Sequence, residues 1–119
     1  MGKGMSDSES EIEIFKCLNY IRDQAGNMAA AKADRVQLEE FRKSKKALLM
    51  IQAEKAGHSS AVSQEKQAYA DPEYVEFLNA LAAAVEKEEK LRWLMLSAQL
   101  KIDVWRSLSA NKRVEAKNI

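Results

Sequence analysis

From Asp71 to Ser109 apolar residues return every three or four positions. Phe77, Ala84, Leu91, Ala98 and Trp105 occupy one position of a heptad, and Leu81, Glu88, Met95, Ile102 and Ser109 the other. Such a repeat predicts an α-helix with one apolar seam. Leu78, Val85 and Leu94 flank that seam and widen it. No glycine or proline follows Pro72 in this stretch, so the pattern predicts one helix over 72–109, roughly 60 Å long at about 1.5 Å per residue. Its start is well marked. Asp71 can accept from the free N–H groups of the first turn, Pro72 suits the first helical position, and Glu73 puts a negative charge at the positive end of the macrodipole. Glu88 interrupts the seam. The favoured expectation turns it outward to pair with Arg92 one turn on; the alternative keeps it inside as a polar residue that fixes register.

The first half carries a second long pattern. Ile14, Leu18, Ile21, Ala25 and Met28 form one helical face, preceded by Ser6, Ser8 and Ser10 as candidate caps and by Glu9, Glu11 and Glu13, which favour a helix start. Gly26-Asn27 is a weak point, but the alanines at 29, 30, 31 and 33 favour continuity. Leu38, Phe41, Leu48, Leu49 and Ile51 resume the stripe, and Gly57 is a suitable left-handed stop. A loop, Gly57 to Ser60, and a short helical segment over 61–70 lead to the restart at Pro72. Residues 1–7 are expected to be flexible, with Met5 as an alternative start after Met1–Gly4, and the basic tail 111–119 is expected to fray. The expected architecture is all-α. Two long antiparallel helices (8–56 and 72–109) form a coiled-coil-like hairpin or bundle in one domain, 8–110. Each carries more apolar surface than one seam buries, so self-association, a dimer foremost, is expected to complete it. Phe77, Leu81, Leu91, Met95, Ile102 and Trp105 are the expected core or oligomer seam.

Composition agrees with long helices: of 119 residues 46% are apolar and 31% charged, with a net charge of +1 and four glycines. Cys17 is the only cysteine, which excludes an intramolecular disulfide and a thiolate metal cluster and makes a reducing compartment the simpler expectation. No apolar run is long enough to cross a bilayer, and the polar, acidic beginning does not read as a secretory leader. A cytoplasmic protein without a membrane partner is expected.

Candidate chemistry is sparse. His58, the only histidine, sits in the loop and reads as a solvated residue. Glu39-Glu40 and Glu88-Glu89 are neighbours that point about 100° apart on a helix and cannot share a site. Cys17 lies near the apolar face and reads as a buried structural thiol. No cofactor, metal or catalytic residue is expected. Two other groups of residues point to binding. Arg42, Lys43, Lys45 and Lys46 form a basic run, and Lys112 and Arg113 lie in a basic C-terminal end; either could contact phosphates. Trp93 falls outside the heptad seam beside Arg92, a residue pair common in protein interfaces; alternatively Trp93 packs under the 61–70 segment, against Tyr69. The leading expectation is a non-enzymatic interaction protein with a protein partner, and the alternative is a DNA- or RNA-binding accessory factor.

Three stretches, AxxxADRVQLEEFRKSKKALL, EKQAYADPEYVEFLNAL and EEKLRWLMLSAQLKIDVWRSL, together resemble small all-α proteins from the recombination and replication regions of temperate tailed phages and prophages. In those proteins a junction similar to Tyr69, Pro72 and Tyr74 separates two long helices, and the second ends in a pattern similar to Ile102–Arg106. The resemblance spans about Ala29 to Ser109 and brings no catalytic or binding residues with it. It implies a phage origin, residence in the host cytoplasm, and an accessory role in DNA recombination, replication or evasion of host defence.

Overall fold

A computed structural model describes residues 7–118, and over them every element is a helix: α1 (Asp7–Lys55), α2 (Ala61–Ala70) and α3 (Pro72–Lys117). α1 runs through Gly26-Asn27 without a break, the continuity that the alanine run predicts. The flexible start expected for 1–7 lies outside the described residues except for Asp7, as does the candidate cap Ser6. Ser8 and Ser10 are inside α1.

Each helix end has an identifiable cause. At the end of α1, Gly57 adopts φ +106°; its N–H donates to the Glu54 carbonyl at 3.1 Å, and the His58 N–H donates to the Ala53 carbonyl at 3.0 Å. These two bonds satisfy carbonyls that the helix itself leaves open, and a glycine adopts the required left-handed backbone most easily. Ser60 caps α2, its Oγ accepting from the Ser63 N–H at 3.1 Å. Between α2 and α3 a single residue intervenes. Pro72 has no N–H to continue the α2 ladder and forces the residue before it out of the helical region, so Asp71 is extended (φ −65°, ψ 130°). The Asp71 carboxylate then accepts from the Glu73 N–H at 2.8 Å and opens α3.

α1 and α3 pair antiparallel, because rising numbers on one meet falling numbers on the other. Arg35 meets Glu88, Phe41 meets Phe77 with ring centroids 5.9 Å apart, and Lys45 meets Glu73 at 2.9 Å. On α3 the predicted heptad positions from Phe77 to Ser109 are all buried or half-buried, and Tyr74 extends the seam one heptad earlier. Phe77, Leu81, Leu91, Met95, Ile102 and Trp105 thus lie in the seam within one chain. The chain divides into two compact units, one comprising α1 as far as Met28 with α3 from Lys90 on, the other Ala29–Glu89. Cys17, Ala98 and Ile102 form the buried centre of the first, with Ile14, Tyr20 and Ile21 packed against it. Leu49, Ala68 and Tyr74 form that of the second. Many of the buried positions are small, Ala31, Ala53, Ala68, Ala98 and Cys17 among them, which lets helix backbones approach closely.

Several expectations need correcting. On α1, Cys17 and Gln24, not Leu18 and Ala25, share the seam with Ile14, Ile21 and Met28; Leu18 and Ala25 are exposed. A helix wrapped on one partner buries two heptad positions, and the wider apolar face leaves its outer flank in solvent. For the same reason Leu78, Val85 and Leu94 on α3 and Leu48 and Ile51 on α1 are exposed, and Phe41 is only partly covered. Glu88 is 8% exposed, turned inward rather than outward, because Arg35 on α1 offers its guanidinium across the seam. α3 also runs past its predicted end to Lys117, since Asn111–Lys117 holds no helix breaker and its cations suit the negative end of the macrodipole.

Candidate functional site

α3 carries two apolar stripes, and the hairpin consumes one. Beside the buried seam, Trp93, Leu96, Leu100, Val104 and Leu108 follow at spacings of three or four residues and remain exposed; Trp93 is 59% and Leu100 52% accessible. Leu96, Leu100, Val104 and Leu108 are each one i, i+4 step apart, the spacing that builds a continuous ridge on a helix surface. Together with Ser10, Glu13 and Ile14 of α1, this ridge borders an open groove of about 600 Å³ whose lining also includes Ser97, Lys101 and Trp105. Trp105 therefore has two roles, half-buried in the seam and a wall of the groove.

Charge around the groove is uneven. Lys101 lies on the α3 wall. At one end the Arg92 guanidinium stands 5.2 Å from the centre of the Trp93 ring, a cation–π contact worth about 0.5–1 kcal/mol at an exposed site. Beyond the other end Lys112 borders a smaller depression with Glu11, Trp105 and Ser109. On the α1 wall Glu13 is salt-bridged to Lys16 at 3.4 Å. From Lys90 on, Asp103 and Glu115 are the only acids of α3, so this part of the helix is predominantly basic.

The other unit holds the charged seam. Glu88 receives Arg35 Nε on one oxygen and Nη2 on the other at 3.2 Å, while Arg35 Nη1 donates to Glu39 at 2.9 Å. Hydrogen bonding to Glu88 first, and to Glu39 second, raises the guanidinium's affinity for its proton. The fork geometry suits arginine, whose parallel N–H groups match a carboxylate.

The basic run is partly occupied inside the chain. Lys45 is bonded to Glu73. Lys46 lies 3.6 Å from Glu65 and its ammonium 4.7 Å from the centre of the Tyr69 ring; the Tyr69 side chain foremost, and Glu65 after it, raises its pKa. Arg42 and Lys43 are exposed, as are Lys112 and Arg113 near the end of α3. Tyr69 packs edge-on against Tyr74 at 5.4 Å. His58 is half-buried rather than solvated: its Nδ1 shares a hydrogen bond with Ser63 Oγ at 2.7 Å, and its carbonyl accepts from Gln64 at 2.9 Å. It pins the loop to α2. Cys17 is buried, as its place in the pattern predicts.

No family model, curated protein or solved structure matches this chain. The geometry of the chain itself is therefore what bears on function. No group of three or more His, Cys, Asp or Glu residues able to hold a metal ion occurs among the described residues, and no helix there is long and apolar enough to cross a membrane. Sequence reasoning singled out Trp93, which lines the groove, and Arg92, which stands over the Trp93 ring. It missed Leu100 and Val104 as members of the same surface, although the four-residue spacing from Leu96 to Leu108 was legible. A strip of that spacing reads equally well as core until the partner helix takes the other face.

Proposed function

We propose that this chain is a non-enzymatic helical interaction protein that binds a partner protein in the groove between the start of α1 and the end of α3. The observation that supports this reading is the ridge from Trp93 to Leu108, exposed on a helix whose other face is already filled. Contiguous apolar surface facing water marks a docking site, and tryptophan and arginine at its end are residues that anchor protein interfaces. A groove between two helices accepts a third helix, with apolar anchors one turn apart filling the hollow.

The test places a photo-crosslinking amino acid at Val104 in the full chain, with Asn79, exposed on the same helix, as the control position. A discrete protein adduct is expected at Val104 and not at Asn79. The captured protein, purified separately, is then expected to bind the unmodified chain and not the Val104→Glu variant. Adducts to nucleic acid, or adducts equal at the two positions, would overturn the proposal.

A further inference from the structure

The acid buried in the seam of the second unit bears on a question separate from the groove. We infer that the Arg35–Glu88 pair selects helix partners: it makes α3 pair with α1 and not with the α3 of another copy. The seam positions of α3 from Phe77 to Ser109 hold one charge, Glu88, and no cation. The seven-residue repeats around Arg35 on α1, Met28–Arg35–Arg42–Leu49 and Ala31–Leu38–Lys45, hold three cations and no acid. Across the hairpin α1 cations meet α3 acids. Arg35 gives its fork to both oxygens of Glu88, and Lys45 reaches Glu73 at 2.9 Å. Glu88 is 8% exposed, so a cation from α1 replaces most of the water that a carboxylate on the surface would have.

Apolar seam residues discriminate poorly among partners. Phe77, Leu81, Leu91, Met95 and Ile102 can pack against a second α3 as they do against α1, because hydrophobic burial is not directional. Glu88 changes that balance. Two α3 helices brought seam to seam bury Glu88 with no seam cation in either chain, whichever way they run. Two α1 helices set cations against cations. Arg92, one turn beyond Glu88, lies outside the seam and stands over the Trp93 ring. A stranded buried charge is strongly unfavourable, whereas a buried pair adds little net stability over apolar residues of the same size. The pair therefore contributes choice of partner more than stability, as a single polar residue does in a coiled-coil seam. Contacts between copies are left to the outer faces.

The experiment compares three full-length chains, each carrying Cys17→Ala and Leu91→Cys. One keeps Arg35 and Glu88, one carries Arg35→Met with Glu88→Leu, and one carries the reversed pair, Arg35→Glu with Glu88→Arg. Leu91 is half-buried in the α3 seam near the middle of its repeat. The new thiols of two α3 helices packed seam to seam therefore come close in either direction, while those of chains joined through outer faces stay apart. After mild oxidation, a disulfide-linked pair is expected from the apolar double variant. It is expected to be absent from the chain with the native pair and from the reversed pair, with equal helicity by circular dichroism in all three. No linked product from the apolar variant, or as much from the native pair, would overturn the inference. Linkage of the reversed pair equal to that of the apolar variant would also count against it, since opposite charges would then not be what selects. Loss of helicity in the apolar variant would assign the pair to folding rather than to choice of partner, and the inference would fall on that result too.

Discussion

At the scale of single residues, the pairing of Arg35 with Glu88 decides most. A carboxylate inside a seam is unfavourable unless its charge and lone pairs are met, and Arg35 meets both oxygens while also reaching Glu39. Removing one partner leaves the other charge stranded, whereas replacing both with apolar residues removes the problem altogether. Glu88→Ala is therefore expected to lower the melting temperature followed by circular dichroism. The double variant Arg35→Met, Glu88→Leu should recover it. A double variant that melts no higher than Glu88→Ala would show that the pair is worth more than an apolar seam. Gly26 and Gly57 make a second residue-scale contrast. Gly26 lies exposed in mid-helix with nothing within 4 Å of an added Cβ, so Gly26→Ala is expected to stabilise by about 0.5–1 kcal/mol. Gly57 holds φ +106°, and Gly57→Ala is expected to destabilise by roughly 1–2 kcal/mol. Urea unfolding of the two variants measures both, and equal signs would contradict the assignment.

At the scale of elements, what matters is that small residues occupy the centre of the seam. Ala98 is buried in a cluster with Cys17 and Ile102, where a longer side chain would have to displace packed neighbours. Ala98→Leu, harmless by helix propensity, is expected to cost about 1–3 kcal/mol through overpacking. Leu49, 2% exposed and packed with Ala68 and Tyr74, holds α2 against α1, and Leu49→Ala is expected to cost about 2–5 kcal/mol. Thermal and urea unfolding would register both losses. An Ala98→Leu variant as stable as the parent would mean that the seam is looser there than its burial indicates. Pro72 illustrates how one residue organises two elements: by ending α2 and preparing α3 it lets the chain turn with only Asp71 between helices.

For the whole molecule, the relevant quantities are the near-neutral net charge of +1 and the amount of apolar surface left uncovered. Little net repulsion opposes association, and we propose that two copies pair through apolar positions left exposed outside the groove, Leu48, Ile51, Leu78 and Val85 among them. Light scattering behind a sizing column is expected to give the mass of a dimer, unchanged by a short DNA duplex at moderate salt. Part of the support for the second expectation is that Lys45 and Lys46 are occupied by Glu73, Glu65 and Tyr69. A mass that rises with DNA at low salt and returns when salt is added would move the working surface to Arg42, Lys43, Lys112 and Arg113. A monomer in every condition would remove self-association.

The amino-acid sequence by itself determined the elements and where they end. Heptad spacing, Asp71-Pro72, Gly57 and the alanine run at 29–33 act through local backbone sterics and short-range hydrogen bonding, which are legible in one dimension. The α3 seam was legible too, because its heptad repeat runs the whole way from Phe77 to Ser109, whereas the second apolar stripe begins only at Trp93. What the tertiary structure decided was which side of a wide apolar face is buried. Leu18 or Cys17, Glu88 in or out, the Trp93–Leu108 ridge as core or as surface: each depends on what the opposite helix presents at that level, and hydrophobic burial has no direction of its own. Glu88 points inward only because Arg35 stands across from it. The groove exists because α1 covers one stripe of α3 and leaves the second exposed.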